Sequence, residues 1–320
     1  MPPALRGPAM PRFTNLDPAH RPQPLPTVLR WALWDRLTGR RRIQPPGPPA
    51  PHHLRAPGEP ACPAAGDFLT WIGHSSFLGR LGGASFLVDP VFSQRIGTFY
   101  PRYGEPGLRI AELPPLAALL ISHNHYDHLD RPSLRALPPE APALVPLGLG
   151  RWFRRWAPRP VVELAWWQRV ELGSLAVTFV PARHWSNRHG WDVNRSWWGG
   201  FVIEGGGRAV YHAGDTAAFG GFAQIAARFP GLDAALLPIG AYEPGWFMEA
   251  AHLTPEQAGE AFLHLGARRL VPMHWGTFQL TDEPISEPIE RMRAWWQRHA
   301  PAEGRQLAEL AVGQSLVLGG

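Results

Sequence analysis

The sequence predicts an α/β protein whose strands are buried in sheets that helices cover. From Asp67 onward, short β-rich runs alternate with turn signals. Many of these runs are apolar at successive positions, which indicates burial on both faces of a sheet. Helix-like segments fall between the later runs, as in layered α/β folds. With 320 residues, of which 45% are hydrophobic and 18% charged, the chain can bury a sizeable core.

The first 66 residues form a separable Pro-rich extension that contains one short amphipathic helix. Residues 1–24 and 43–65 are too rich in proline for regular helix or sheet, so we expect extended arms there. Residues 26–42 between them have helical periodicity and end in Gly39 and three arginines. The predicted apolar face consists of Val28, Leu29, Trp31, Ala32, Leu33 and Leu37. This face should dock on the protein itself, on a second subunit or on a bilayer interface, and packing on protein is favoured.

Residues 67–320 are predicted to form one domain, because no Pro/Gly-rich linker interrupts the candidate site residues between positions 123 and 274. The predicted strands are Phe68–Ile72, Ser85–Asp89, Ala117–Ser122, Leu175–Pro181, Phe201–Glu204, Ala209–Ala213, Ala234–Pro238 and Arg269–Met273. The predicted helices are Phe222–Phe229 and Pro255–Leu265. The second helix has Thr254 as its N-cap, Gln257 to complete a capping box and Gly266 as its stop.

Composition limits the partners and the compartment. The 31 basic and 26 acidic residues give a net charge of +5, which is compatible with a phospholipid surface or nucleic acid without choosing between them. The single cysteine, Cys62, excludes an internal disulfide framework. No run approaches the roughly 18 apolar residues of a spanning helix, and the N-terminus lacks the apolar region of a signal peptide. We therefore expect a cytoplasmic protein, either soluble or peripheral on a membrane.

A cluster of metal-ligand residue types follows the buried run 119–122. His123, His125, Asp127 and His128 lie within six positions, on a loop at the end of a strand, where α/β proteins place their sites. His123 and His125 can point at one metal ion while Asp127 and His128 address a second. Imidazole and carboxylate donors suit Zn²⁺. Because four such groups are costly to desolvate without a cation, the cluster predicts a metal site.

Three further ligand-type residues, His184, Asp215 and His274, each follow a strand-like run. A carboxylate such as that of Asp215 can bridge two cations. The seven residues then divide into three plus three with one shared, which predicts a dinuclear centre. His74 and His212 lie inside apolar stretches, and we interpret them as hydrogen-bonded core residues or as supports of the ligands.

These motifs resemble those of the metallo-β-lactamase superfamily, whose fold is an αββα sandwich with two zinc ions at the sheet edges. More narrowly, residues 67–290 resemble the N-acylphosphatidylethanolamine-hydrolysing phospholipase D family. The segments that carry the narrower resemblance are Trp71–Ser76, His184-Trp185, Ala213–Thr216, Pro238–Pro244, Trp246–Met248 with His252, and Met273–Phe278. The six-residue metal motif specifies only the superfamily, whereas the segments around PIGAYEP and HWGTF are much more specific.

The resemblance implies two zinc ions, each held by three residues, with one carboxylate shared between them. The first set is His123, His125 and His184. The second set is Asp127, His128 and His274. The shared carboxylate is Asp215.

The resemblance also implies a zinc-dependent phosphodiesterase that converts N-acylphosphatidylethanolamine-like phospholipids into N-acylethanolamine and phosphatidic acid. Zinc lowers the pKa of bound water toward ~7, so a metal-bridging hydroxide would attack phosphorus. Asp215 and His252 are the catalytic candidates, and Tyr126 and His252 would contact the substrate phosphate. This chain departs from mammalian members at Ala251 and at Ser186-Asn187-Arg188. Both departures leave acyl-chain and headgroup preference open.

Two other functional classes stay open. One is a metal-dependent lactonase or another phosphoester hydrolase, such as a nuclease, on the same scaffold. The other is a non-catalytic metal-binding module, against which the full set of seven ligand-type residues weighs. The predicted partners are the phospholipid substrate, a membrane surface and, through the docked N-terminal arm, a second copy of the chain. Tryptophans beside arginines, as in Arg151–Trp156, suit a lipid headgroup boundary or core packing, and nucleic acid is the least favoured partner.

Overall fold

Two seven-stranded β-sheets form the centre of the protein. The computed structural model describes residues 12–299 and 304–319. The first sheet contains, in spatial order, β16 (Ser315–Val317), β1 (Phe68–Gly73), β2 (Ser76–Leu81), β3 (Ala84–Val88), β6 (Leu116–Leu120), β7 (Ala143–Pro146) and β8 (Val161–Leu164). The second contains β15 (Gln306–Leu307), β14 (Arg269–Met273), β13 (Ala234–Pro238), β12 (Arg208–His212), β11 (Gly200–Gly205), β10 (Leu175–Val180) and β9 (Arg169–Leu172). A separate ribbon pairs β4 (Arg95–Ile96) with β5 (Tyr100–Pro101).

Strand residues alternate between two hydrophobic cores. In β1, Leu69 and Trp71 belong to the larger core, to which both sheets contribute, while Phe68 and Ile72 belong to a second core on the other face of the first sheet. Successive side chains of a strand point to opposite faces, so both faces of this sheet are covered. This two-sided burial is the reason that the strands consist of nearly continuous apolar residues.

Helices cover the outer faces of both sheets. The helices whose residues enter the second core are α3 (Arg131–Ala136) and α4 (Gly150–Trp156). The helices whose residues join the larger core are α5 (Gly221–Arg228), α7 (Pro255–Leu265) and α8 (Glu287–His299). A short helix, α6 (Gly245–Met248), precedes α7. The layering is helix, sheet, sheet, helix, and the predicted αββα sandwich is confirmed.

The predicted elements of this domain are present. All eight predicted strands occur with ends within two residues of the prediction, and the helix predicted at 222–229 begins and ends one residue earlier. Helix α7 has the predicted bounds and caps: Thr254 accepts a hydrogen bond from the Gln257 N–H, and Gly266 ends the helix in the left-handed region at φ 66°. Helix α8 was not predicted, because its charged residues leave only a narrow buried stripe that includes Ile289, Met292 and Trp295.

The amphipathic segment of the extension is helical from Leu25 to Leu37. It consists of α1 (Leu25–Leu29), a π-helical turn (Arg30–Trp34) and α2 (Asp35–Leu37), which together we call the N-terminal helix. It ends earlier than the predicted residue 42. Trp31 stacks on Phe247 at 4.7 Å between ring centroids, so part of the helix docks on protein as predicted. Leu29, Leu33 and Leu37 are exposed by 47%, 57% and 83%, so docking of this outer part of the face on a second subunit or a bilayer stays a prediction.

The Pro-rich arms follow the surface of the domain. Residues 43–65 contain neither helix nor strand apart from one isolated bridge at His52, as expected for their composition. Backbone hydrogen bonds join Gln44 to Asp282 and Ala50 to Gly276, each at 2.9 Å. Predictions for residues 1–11 lie outside the described residues. Within the described part of the chain, no helix is long and apolar enough to cross a membrane.

Candidate metal centre

The sheet topology collects the ends of several strands at one edge. In the first sheet, β3 and β6 are parallel, and β1 shares their direction because β1 and β3 are both antiparallel to β2. In the second sheet, β12, β13 and β14 are parallel, and β10 shares their direction through β11. The predicted ligands follow the carboxyl ends of β6, β10, β12 and β14. Strands of common direction therefore bring residues distant in sequence to one place.

The first predicted set of ligands is assembled. His123 Nε2 lies 2.9 Å from His125 Nδ1, and His184 Nε2 lies 3.2 Å from the same His125 nitrogen. The carboxylate oxygen Oδ2 of Asp215 is 3.8 Å from the Nε2 atoms of both His123 and His184. Three imidazole nitrogens and a carboxylate thus converge on one small volume.

The second predicted set lies on the other side of Asp215. Asp127 Oδ2 is 3.4 Å from the Nε2 atoms of His128 and of His274. The Oδ2 atom of Asp215 is 3.2 Å from His128 Nε2 and 3.3 Å from His274 Nε2. Asp215 therefore stands between the two sets, in the place of a shared carboxylate. Metal binding by these residues stays a prediction.

The donor atoms fit a cation. The buried Nε2 atoms of His128 and His274 and the buried Oδ1 atom of Asp215 have no hydrogen-bond partner among the described residues. Buried polar atoms without partners are costly, and a cation accepts their lone pairs. Imidazole and carboxylate ligands suit Zn²⁺ but also iron and manganese, so the residues fit a metal centre without selecting the element.

Burial controls the protonation of the first set. It lowers the pKa of His123 and of His184 well below the ordinary histidine value, and for His123 the neighbouring His128 adds to the effect. Burial likewise lowers the pKa of His125 to about 4. These histidines are neutral near pH 7, and a neutral imidazole is the form that binds metals.

Carboxylates control the protonation of the second set. Burial opposes a charge on His128 and His274, but Asp215 and Asp127 outweigh burial, so the pKa of His128 rises well above its ordinary value and that of His274 rises to about 9. Burial would also raise the pKa of Asp127 and of Asp215, yet the charge of His128 holds both well below their usual range. Without a cation, these protons balance the two buried carboxylates.

Tyr126 and His252 flank the ligands. The Tyr126 ring is 43% exposed, and its hydroxyl donates a hydrogen bond to the carbonyl oxygen of Arg188 at 3.0 Å. The His252 ring centroid lies 5.1 Å from that of His184 and 5.6 Å from that of His274. His252 is half-buried, and its ring packs against these two imidazoles. Their contacts with substrate stay predictions.

A largely apolar cavity of about 640 Å³ opens beside the metal-ligand residues. His125, Asp127, His184 and Asp215 form part of its wall. Much of the remaining wall comes from the extension, the β4–β5 ribbon and the α6 region, including Val28, Trp31, Ile96, Phe99, Phe247, Met248 and Leu280. A cavity of this size accommodates a ligand with substantial apolar parts. The domain boundary at residue 66 stays a prediction, although the extension lines the same cavity as the metal centre.

Residues 85–275 match the family model of the β-lactamase superfamily domain. The match covers more than half of the chain and includes all seven predicted ligand residues. The chain belongs to the β-lactamase superfamily. The resemblance seen in the sequence motifs is thereby confirmed.

The relatives include proteins without an assigned activity and proteins named for a phospholipase D activity. An uncharacterized protein of Mycobacterium tuberculosis is 39% identical over 295 residues, 88% of this chain and 77% of the relative. The N-acyl-phosphatidylethanolamine-hydrolyzing phospholipase D 1 of Caenorhabditis elegans is 34% identical over 247 residues, 72% of this chain and 69% of the relative. This β-lactamase superfamily protein is a metal-dependent hydrolase.

A solved structure supports the fold. The crystal structure of a possible metal-dependent hydrolase from Veillonella parvula superposes with a TM-score of 0.64 at 14% sequence identity. The superposition covers 79% of this chain and all of the other. At this identity the comparison shows the fold alone.

Two residues that contact the predicted metal ligands, Asp89 and Asn15, were not predicted from the sequence. Asp89 follows β3 and accepts hydrogen bonds from His128 Nδ1 at 2.8 Å and from the Ser122 hydroxyl at 2.6 Å. Asn15 of the extension contacts the backbone of His184 through both atoms of its amide, at 3.0 and 3.1 Å. Asp89 is the last residue of a predicted strand, and a polar residue at that position could have been predicted to lie near the site. The residues around Asn15 in the sequence do not indicate its partner.

The backbone is strained at the same edge. His74, Asp89 and His274 have positive φ angles of 55°, 42° and 63°, a region that side chains rarely adopt. Such strain persists where surrounding structure enforces it, and it is concentrated at functional sites.

His74 is buried and its Nε2 lies 3.0 Å from Asp127 Oδ2, consistent with the predicted hydrogen-bonded role. His212 donates a hydrogen bond from Nε2 to the Ser75 carbonyl oxygen at 2.9 Å.

Proposed function

We propose that the protein is a zinc-dependent phosphodiesterase of phospholipase D type. It hydrolyses N-acylphosphatidylethanolamine-like phospholipids and releases N-acylethanolamine and phosphatidic acid. The observation that carries the proposal is the wide apolar cavity whose wall includes His125, Asp127, His184 and Asp215. A diacylated phosphodiester matches this cavity, because its acyl chains need an apolar wall and its charged phosphate needs the neighbouring metal-ligand residues. The Caenorhabditis elegans relative named for this activity adds support.

The two sets of ligands would hold one zinc ion each, with Asp215 shared. Zinc at this position supplies Lewis acidity to a phosphate oxygen and makes water a nucleophile near neutral pH. Asp215 fixes the geometry of the centre, because its Oδ2 lies within 3.8 Å of four imidazole nitrogens. No side-chain nucleophile is needed for this chemistry.

Tyr126 and His252 would orient the phosphate. Tyr126 lines the cavity and is held from behind by Arg188, whose guanidinium carbon lies 4.0 Å from the centre of the ring. The Nδ1 atom of His252 is buried without a hydrogen-bond partner among the described residues, and His252 also lines the cavity. A phosphate oxygen would satisfy this nitrogen. Both side chains line the cavity that the metal-ligand residues also line, which supports a role in orienting the phosphate.

Access to lipid would involve the N-terminal helix. Its inner face contributes Val28 and Trp31 to the cavity, while Leu33, Trp34 and Leu37 are exposed. A helix with outward apolar side chains and neighbouring arginines suits the interface of a bilayer. We include a peripheral position on a membrane in the proposal.

Turnover of three substrates tests the proposal. The zinc-loaded protein is assayed with an N-acylphosphatidylethanolamine in mixed micelles, a soluble phosphodiester reporter and a lactone. We expect N-acylethanolamine release from the lipid, and loss of that activity with retained fold in Asp215→Asn. Strong lactone turnover with none on the lipid would replace the proposal by the lactonase alternative. Metal analysis should return two zinc ions per chain, and a single ion would contradict the dinuclear centre.

A further inference from the structure

A second cavity, of about 620 Å³, borders the loop 123–128 and shares no lining residue with the apolar cavity. Its wall is formed by α4, by residues 148–149 before that helix and by the segment 188–196. Asn124, which stands between the predicted ligands His123 and His125, also lines it. Its lining differs from that of the first cavity, because arginine and tryptophan dominate.

The second cavity is positively charged without internal compensation. Four arginines line it, namely Arg151, Arg155, Arg188 and Arg195. Within the described residues, none of the four guanidinium groups is within 4.0 Å of a carboxylate oxygen, and the cavity wall contains one acidic residue, Asp192. The Asp192 carboxylate already accepts hydrogen bonds from the backbone N–H groups of Arg188 and His189, at 2.9 and 2.7 Å. Unpaired arginines around one concave surface attract an anion.

Aromatic side chains hold some of these arginines in place. The Arg188 guanidinium lies over the rings of Tyr126 and Trp152, at 4.0 and 5.2 Å, and that of Arg155 lies over Trp156 at 4.8 Å. Stacking uses the flat face of a guanidinium and leaves N–H groups at its edge available. A planar fork fixed in this way is suited to bidentate hydrogen bonds with phosphate or carboxylate oxygens.

Three polar groups in the wall lack partners within the described residues. Asn124 and Ser196 are each 97% buried, and neither the Asn124 Oδ1 atom nor the Ser196 Oγ atom has a hydrogen-bond partner among the described residues. The Nε atom of Arg195 is also buried without a partner. Buried polar atoms are normally satisfied, so these three atoms add unpaired polar groups to the region around the arginines.

We propose that this cavity is a second binding site, separate from the metal centre, for a phosphomonoester. The four arginines would bind the phosphate. The cavity is much larger than inorganic phosphate, so the ligand carries an organic group, which packs against Trp152, Trp156 and Trp191. A free sugar or glycerol phosphate and the headgroup of a phosphatidic acid share this chemistry.

Binding measurements with two probes test the site. Glycerol 3-phosphate and dihexanoyl phosphatidic acid are titrated into the full-length, zinc-loaded protein by calorimetry. We expect Arg155→Gln and Arg151→Gln to weaken binding about 10-fold each, because each removes one charge-assisted hydrogen bond. Both positions are exposed on α4, so the fold should be unaffected.

Arg154→Gln is the matched control, because Arg154 is exposed on the same helix but does not line the cavity. It should bind both probes as the wild type does. Binding of both probes would indicate a soluble phosphomonoester ligand, and binding of the phosphatidic acid alone would indicate a lipid headgroup. Equal weakening by Arg154→Gln and Arg155→Gln, or no binding of either probe at about 1 mM, would overturn the proposal.

Discussion

Asp89 accepts a hydrogen bond from His128, with 2.8 Å between Oδ2 and Nδ1, and both side chains are fully buried. The bond places the proton on Nδ1 and directs Nε2 of His128 toward Asp127 and Asp215. Carboxylates that orient histidine ligands in this way set their tautomer and raise their basicity. Asp89 is therefore a positioning residue of the centre, although it does not belong to either set of ligands.

Asp89→Asn should lower metal affinity about 10- to 100-fold, because a neutral amide holds the His128 ring less firmly. Asparagine tolerates the positive φ of 42° at this position, so the substitution tests the charge rather than the backbone. Competition with a chelator of known affinity measures the effect. Asp17→Asn, at an exposed position, is the control and should bind metal normally. Unchanged affinity in Asp89→Asn would show that the ring is held by packing alone.

Metal removal should lower the melting temperature of the wild type. A ligand that binds only the folded state stabilises it by about 2.7 kcal/mol when present at 100 times its dissociation constant. Thermal unfolding is followed with excess zinc and after dialysis against a chelator. Because Asp215 contacts both sets, Asp215→Asn should lose most of the zinc-dependent increase. The same increase in wild type and variant would argue that zinc stabilises the protein elsewhere.

Local sequence was sufficient for the four strands that lead into the ligands, β6, β10, β12 and β14, and for the ligands that follow them. His123, His184, Asp215 and His274 each come soon after a buried apolar run, and strands of common direction converge at one edge whatever separates them in the chain. The Thr254 cap was equally predictable, because its partner Gln257 is three residues away. These features depend on contacts between near neighbours or on a rule of topology.

The walls of the cavity could not be predicted in this way. Asn15 reaches the backbone of His184 across 169 positions, and Trp31 stacks on Phe247 across more than 200. The pattern of hydrophobic residues does not predict such pairs, because nothing in the sequence around either residue indicates its distant partner. For the same reason the sequence did not indicate which part of the N-terminal helix packs on the domain and which part, including Leu33 and Leu37, is exposed.

Glu112 should stabilise the protein in a pH-dependent manner. A hydrogen bond from Arg109 lowers the pKa of Glu112 from 4.5 to about 2, and Arg55 of the extension adds to the effect. Because the pKa is lower in the folded state, the stabilisation is present above pH 4.5 and is lost as the pH falls toward 2. Glu112→Gln should cost about 1 kcal/mol or less at pH 6 and progressively less in acid.

Urea unfolding at pH 6, 4.5 and 3.5 measures this difference. Glu140→Gln is the control, because Glu140 is exposed and makes no ion pair within the described residues. Its unfolding free energy should follow that of the wild type at each pH. A Glu112→Gln deficit that stays constant from pH 6 to 3.5 would contradict an electrostatic origin.

Asn15→Ala should weaken both the fold and the metal centre. The Asn15 side chain is 93% buried, its Nδ2 donates to the His184 carbonyl, and its Oδ1 accepts from the His184 N–H and from Trp198 Nε1. Alanine leaves these buried groups unsatisfied, which costs about 1–3 kcal/mol. His184 would also lose the contacts that hold its backbone, so zinc affinity should fall together with the unfolding free energy.

The comparison with Asp17→Ala separates these two effects from a general loosening of the extension. Asp17 lies two residues further along the same segment, and its side chain is 59% exposed. Asp17→Ala should therefore keep wild-type zinc affinity and stability. If Asn15→Ala lowers the unfolding free energy but leaves zinc affinity unchanged, Asn15 anchors the extension without positioning His184. If zinc affinity and unfolding free energy both fall in Asn15→Ala while Asp17→Ala is unaffected, the extension contributes to positioning the metal ligand His184.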